Sequence, residues 1–267
     1  MDISHLKQAK LRGIKAKPSR GALDALKILE SFDAANSNQS LARISRHLKI
    51  PKATALRTLR ALEEMRYVFY APREETYALS SAVLALAQRF LSRYETVNVA
   101  RPLLADLASE TGETAHFGVL QETEVVYLEI AESPQRIRAY VLRGDHIPAH
   151  CVAAGKAILA YADPQTLEAF LTSGLARMTP ATITNRTTFL RDLRATQQRG
   201  YGVNIGEWMS DVTGVSAPVF GHSGIVEGAL GVAGPISRLS SRKVHRVGRI
   251  VRQYAERLSA KLGTHRT

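Results

Sequence analysis

Apolar positions recur at helical spacing over residues 20–32, where Leu23, Leu26, Leu29 and Phe32 punctuate GALDALKILESF. A polar break, AANSNQS, follows, and its last residue, Ser40, is placed to cap a short helix, LARISRHL, with Leu41, Ile44 and Leu48 on one face. Lys49-Ile50-Pro51 makes a tight connection, and Pro51 suits the start of a third helix. That helix, KATALRTLRALEEM, carries Ala55, Leu59 and Leu62 at i, i+4 and i+7. Two β-like runs, YVFYA and TYALS, flank the polar turn Pro72-Arg73-Glu74-Glu75. Three short helices with a tight turn before the third, then a hairpin, predict a winged helix-turn-helix over residues 20–80.

Residues 81–96 predict a linker helix rich in helix formers. Its apolar positions (Val83, Leu84, Leu86, Ala87, Phe90, Leu91) cover more than one face, so it needs a partner helix, as a second subunit would supply. From residue 97 onward helices and strands are interspersed. Helices are expected at Val97–Gly112, Ala153–Tyr161, Pro164–Leu171, Phe189–Arg199 and Ser240–Lys261. Strands are expected at Thr114–Leu120, Glu124–Ile130, Arg136–Leu142, Tyr201–Gly206, Val212–Val219 and Ile225–Ala233. The closing helix sets Val244, Val247, Val251, Tyr254 and Leu258 along one stripe. The whole predicts an α+β chain: a winged helix-turn-helix joined to a sensor-like antiparallel sheet domain at 97–267.

Charge sharpens this division. The net charge of +12 is unevenly spread over the 267 residues. Residues 1–80 carry 15 Lys/Arg against 8 Asp/Glu, residues 81–234 carry 12 against 15, and residues 235–267 carry 9 against 1. The first 19 residues form a basic arm without the apolar stretch of a signal peptide. A single cysteine removes the disulfide-stapled class, and no apolar run approaches the roughly 20 residues that span a bilayer. A cytoplasmic protein is expected. Positive charge at this density is rewarded by a polyanion through counterion release. Lys52 and Arg57 suit phosphates or guanine edges, Thr54 suits either, and Arg60 stands on the same exposed side. Arg73 at the wing tip suits phosphate or the minor groove. The basic residues Arg238, Arg242, Lys243, Arg246, Arg249 and Arg252 are read as solvating the closing helix.

The stretches ALDALKILESF and LARISRHLKIPKATALRTLRALEEMRYV resemble the helix-turn-helix of the IclR family of bacterial transcription factors. The resemblance continues in order through Thr111-Gly112-Glu113-Thr114, PAHCVAAGKAILA, Thr182-Ile183-Thr184, RGYGVNIGE, SAPVF and GVAGPISRL, from about residue 20 to 263. It implies a GAF-like effector-binding and oligomerisation domain after the winged helix. It also implies a homodimer or homotetramer on a palindromic operator in double-stranded DNA beside catabolic genes, controlled by a small organic-acid effector. No cofactor, metal or catalytic residue is implied. Ala53, Leu56 and Arg66 depart from the family's common serine, histidine and glycine, which bears on operator sequence and on the turn before the wing.

Two lines converge on the effector site. Val152–Lys156 opens a helix, so the amides of Ala153, Ala154 and Gly155 are candidate donors to an anion. The resemblance completes the pocket with Asn204–Trp208 (Asn204 and Trp208 foremost), with Gly214 and Val215 in Gly214–Ser216, and with Gly231 and Ala233. Small residues at 231 and 233 and the indole of Trp208 favour an aromatic or otherwise bulky acid over a two- or three-carbon one. Other motifs fall short. Ala154-Gly155-Lys156-Ala157 lacks the earlier glycine and the Ser/Thr of a phosphate loop. His146 and His150 are separated by Pro148 and lack the metalloprotease glutamate. Gly214-Val215-Ser216-Ala217-Pro218 lacks the second glycine of a nucleophile elbow. Cys151 reads as a small buried hydrophobe. Glu129 and Glu132 serve acid–base chemistry only if paired across a cleft. The alternative function, a small-molecule enzyme or metabolite-binding protein with an incidental basic N-terminus, differs from the regulator in binding no DNA sequence-specifically.

Overall fold

The computed structural model describes residues 19–33, 35–92, 94–139 and 141–264, in two compact units that divide between Ser92 and Arg93. The basic arm before Ser19 lies outside the described residues. The first unit holds α1 (Arg20–Glu30), β1 (Asn38–Ser40), α2 (Leu41–Leu48), α3 (Lys52–Glu64), β2 (Val68–Ala71), β3 (Thr76–Leu79) and α4 (Ser81–Leu91). Ser40 caps α2 as expected, accepting the Arg43 amide at 3.3 Å. The core gathers Ile28, Phe32, Ile44, Ile50, Ala55, Leu59, Leu62, Val68 and Tyr77. The α1 stripe differs from the expected one: Ile28 is buried, whereas Leu23 and Leu26 are exposed. Apolar residues on several sides of α1 leave its phase open in sequence, and packing against α2 and α3 selects the Ile28 side. The polar break contains a strand. β1 pairs with β3 because Gln39 is buried with its amide donating to the Ser31 carbonyl at 2.7 Å.

The second unit holds α5 (Glu95–Thr111), β4 (Thr114–Gln121), β5 (Glu124–Ala131), β6 (His146–Pro148), α6 (Ala153–Leu159), α7 (Pro164–Thr172), α8 (Arg186–Arg199), β7 (Gly202–Ile205), β8 (Val212–Phe220), β9 (Val226–Pro235) and α9 (Ser241–Lys261). Its strands form one antiparallel sheet in the order β6-β5-β4-β9-β8-β7. α5 and α9 pack on one side of the sheet, and α6 packs on the other, backed by Phe170 and Leu171 of α7 and Phe189 and Leu193 of α8. The α9 stripe buries Val244, Val251, Tyr254 and Leu258, as the period-3.6 pattern requires.

The strand expected at Arg136–Leu142 is absent from the described residues of that segment; β5 pairs instead with His146–Pro148. Alternation there is misleading, because Ile137 is 74 % exposed and its carbonyl accepts from Arg238. The segment is held by its charges: Arg138 pairs with Glu132, and Arg143 pairs with the buried Glu129. Side-chain anchoring replaces a ladder.

Candidate functional site

α3 is positioned by its buried edge, Ala55, Leu59 and Leu62, which turns the rest of the helix outward. Arg57 and Arg60 are exposed on the side opposite that edge, while Lys52 shares a recess with Leu56, Tyr70 and Tyr77 on the wing side. Thr54 is half-buried and lies toward α1, beside Thr58, whose hydroxyl donates to the Thr54 carbonyl at 3.0 Å. Arg73 is exposed in the turn between β2 and β3. The five residues therefore occupy four places: the ridge of α3, each of its two flanks, and the wing tip. Such a spread suits a helix laid along a groove with a hairpin beside it.

Cations in the left-handed region stand before and after α3. Lys49 (φ 55°) ends α2, and Arg66 (φ 61°) follows α3. After α3 the Arg66 amide donates to Glu63 O at 2.9 Å and the Tyr67 amide to Leu62 O at 2.8 Å, a Schellman motif in which glycine is the unstrained choice.

In the second unit, strand alternation brings several expected effector residues together. Thr114, Ala233, Gly214 and Asn204 lie opposite one another across β4, β9, β8 and β7. A β-carbon at Gly214 would sit 3.4 Å from the Ala153 methyl, so this row faces α6. Val215 alternates to the other side of β8, away from that row. Asn204 is buried, its amide donating to Cys151 O at 2.7 Å and its oxygen accepting the Gly214 amide at 3.0 Å. It thereby ties the turn before α6 to β8.

Two glycines owe their presence to neighbours. A β-carbon at Gly155 would stand 2.0 Å from the Ala149 carbonyl oxygen, so Gly155 lets α6 pack on the preceding turn. One at Gly231 would stand 2.0 Å from Ser216 Oγ. The space above Gly231 is filled because Ser216 Oγ meets His116 Nε2 at 3.2 Å across β9. Ala233 and Ala153 remain small and buried, and Ala154 is buried in the α6 core cluster. Trp208 is half-buried and packs against that same cluster.

His116 is the polar residue that sequence reading missed. It is 2 % exposed, meets Tyr127 edge-on at 5.0 Å between centroids, and its Nδ1 has no partner among the described residues. Burial pulls its pKa from the ordinary 6.5 to about 4, so the ring is neutral. A lone histidine within an apolar strand gives no periodic signal, and only burial and register reveal it.

Lys156 has a different role from an anion ligand. It is 1 % exposed and pairs with Glu207, after β7, and with Asp192 of α8 at 2.9 Å. Burial pushes the Glu207 carboxyl up, against the pull of Lys156. The Thr182 hydroxyl donates to Glu207 O at 2.7 Å, and Thr179 to Gly206 O at 2.6 Å, fixing this loop. Cys151 is buried, and burial pushes its thiol up to about 12. His150 bonds the Ala176 carbonyl at 2.8 Å, whereas His146 faces Glu124. Burial raises the Glu129 carboxyl, but hydrogen bonds from Arg143 and Arg101 outweigh it and hold the group below its ordinary range. Glu129 is thus an anchored ion, separate from Glu132, which pairs with Arg138. Arg238 lies before α9 and does more than solvate it, binding both oxygens of the buried Glu113 carboxylate at 2.7 Å.

Residues 24–72 match the IclR helix-turn-helix domain, and residues 88–260 match the bacterial transcriptional regulator IclR C-terminal domain. The chain belongs to the IclR family of bacterial transcriptional regulators. Among its relatives, the HTH-type transcriptional regulator BhcR of Paracoccus denitrificans is 31 % identical over 251 residues, covering 92 % of this chain and 90 % of that protein. The HTH-type transcriptional repressor AllR of Escherichia coli K12 is 26 % identical over 237 residues, 88 % of each chain. The crystal structure of the Thermotoga maritima IclR superposes with a TM-score of 0.79 at 26 % identity, covering 91 % of this chain and 98 % of that one. A crystal structure of an IclR homologue from Microbacterium hydrocarbonoxydans, complexed with 4-hydroxybenzoate, shares the fold at a TM-score of 0.79 and 23 % identity. The family membership makes this chain a DNA-binding transcriptional regulator rather than an enzyme. Among the described residues no helix is long and apolar enough to cross a membrane.

Proposed function

We propose that the second unit senses a small organic acid and that its occupancy changes the affinity of the first unit for a palindromic operator near catabolic genes. The observation that carries this reading is the row Thr114, Ala233, Gly214 and Asn204 facing Ala153, with the polar pair His116–Ser216 one step along the same side. Small side chains leave backbone approachable, and the buried hydroxyl and imidazole give an oriented polar set on an otherwise apolar floor. The amides of Ala153, Ala154 and Gly155 add donors at the start of α6. The Ser216–His116 pair fills the space above Gly231, which removes one argument for a bulky acid, while Trp208 keeps an aromatic wall in play.

A thermal-shift screen separates the classes. Benzoate and 4-hydroxybenzoate form one arm, acetate and pyruvate the other. Ligand at about 100 times its Kd adds about 2.7 kcal/mol, a rise of several degrees for a unit of this size. Any hit must also change DNA affinity, because coupling between two sites is reciprocal. A carboxylate that shifts the melt but leaves a mapped operator's affinity unaltered refutes the sensor reading. For the assembly, a homodimer or homotetramer is the reading, supported by Leu84 and Leu86 standing exposed on α4. Light scattering of the full chain tests it, and a monomer at micromolar concentration is the adverse result.

A further inference from the structure

We propose that the cleft between α1 and the α2–α3 turn seats a DNA backbone phosphate, held by Lys49 with Arg20 and Lys27, beside rather than within the base-reading surface of α3. This rests on the DNA-binding reading of the first unit. The cleft encloses about 590 Å³, and the described residues lining it include four cations, Arg20, Lys27, Lys49 and Arg57, against one carboxylate, Asp24. Among the described residues none of these cations forms an ion pair, although elsewhere in the chain Arg101, Arg143, Arg186 and Arg238 all do. Unpaired like charges crowded around one hollow repel one another, and a polyanion relieves that repulsion.

Two further features point the same way. α1 begins at the cleft, with no acidic residue in its first turn and with the Ser19 side chain making no cap bond, so among the described residues its positive end is unspent. Lys49 occupies the left-handed region at φ 55°, where a β-carbon is strained and glycine is not. The turn is closed without the lysine side chain: the Ile50 amide donates to Ser45 O at 3.0 Å, and the Ser45 hydroxyl donates to Ile50 O at 2.6 Å. The lysine side chain contributes nothing to closing the turn, and it is exposed over the cleft that Thr54 and Arg57 of α3 also line. A strained position holding an unpaired cation beside the reading helix fits contact with phosphate.

The strain makes a clean test, because Lys49→Gly removes the charge while relaxing the backbone. Anisotropy of a fluorescein-labelled 30-base-pair duplex of arbitrary sequence is measured with the full chain between 50 and 300 mM KCl. The wild type gives a steep linear fall of log Kobs with log salt. Lys49→Gly should lessen the slope by about 0.9 per bound chain and weaken binding roughly eightfold near 0.1 M salt, the counterion term of one phosphate contact. Its Tm should be no lower than that of the wild type. Lys49→Arg should retain the slope, and Arg20→Gln should reproduce the loss. A Lys49→Gly slope equal to a steep wild-type slope overturns the phosphate seat alone. A flat wild-type slope overturns the DNA reading and the seat with it.

Discussion

The neutral, buried imidazole of His116 makes stability of the second unit depend on pH in a calculable way. In the unfolded chain a histidine takes up a proton below pH 6.5, whereas in the fold burial holds its pKa at about 4. Protons therefore bind the unfolded state preferentially between those values, so stability is whole above pH 6.5, falls as pH drops toward 4, and falls no further below it. Integration from pH 7.5 to 5.0 gives a loss of about 2 kcal/mol from this one group. Among the described residues no carboxylate relieves it: Nε2 faces Ser216, and the ring meets Tyr127 at right angles. Urea unfolding followed by Trp208, the only tryptophan, reads the second unit selectively. His116→Gln keeps a hydrogen-bonding group toward Ser216 without titrating. The wild type should lose about 2 kcal/mol more than the variant between the two pH values. His150, also lowered by burial, acts in the same direction and is common to both proteins, so it cancels. Parallel losses in the two proteins, within about 0.5 kcal/mol, would refute the reasoning.

Other substitutions test other joints of the structure. Gly155→Ala gains about 1 kcal/mol of helix propensity but drives a methyl against the Ala149 carbonyl, so a net loss of roughly 2 kcal/mol is expected in urea unfolding, and an unchanged midpoint contradicts the packing. Lys156→Met leaves the buried Glu207 without its cation, while Asp192 keeps only Arg199 at 3.8 Å, and should cost about 3–5 kcal/mol, with Glu207→Gln in the same chain recovering part of it. Arg66→Gly relieves a left-handed residue and should raise first-unit stability by roughly 0.5–1 kcal/mol, read by hydrogen exchange of the α3 amides. Arg57→Ala should weaken duplex binding in the anisotropy assay without changing the thermal shift given by an effector, and loss of both would contradict the assignment of the two roles to separate units.

Local signals carried most of the architecture. The i, i+4, i+7 spacing of Ala55, Leu59 and Leu62 located the buried edge of α3, and Ser40 announced α2. Alternation found β4 and β5 because one strand follows the other across a short turn. The same rule failed at 136–142, where Ile137 points to solvent and Arg138 and Arg143 anchor the chain to Glu132 and Glu129, six and fourteen positions earlier. It failed also at β1, whose reason is a single glutamine amide reaching a carbonyl eight positions earlier. In the candidate effector site, sequence could show that residues 155 and 231 are small but not what presses on them. For Gly231 the answer lies on β8, and His116 gains its meaning only from the strand beside it.

The order of the sheet has a consequence for how the unit folds. β4, β5 and β6 pair with their sequence neighbours, and so do β7, β8 and β9; the two halves meet only where β4 lies against β9, joining Thr114 to Ala233. Each half can form from nearby residues, whereas that seam must wait for the chain between them, since closing long loops delays non-local pairing. Until it closes, Ala115, Phe117, Leu230 and Val232 border two open strand edges, the species most exposed to self-association during refolding. His116 stands on one side of the seam, and Ser216, Gly214 and Ala233 stand on the other. The candidate sensing surface therefore comes into being only as the domain completes itself, and a ligand seated there would act as a clasp across the last pairing to form.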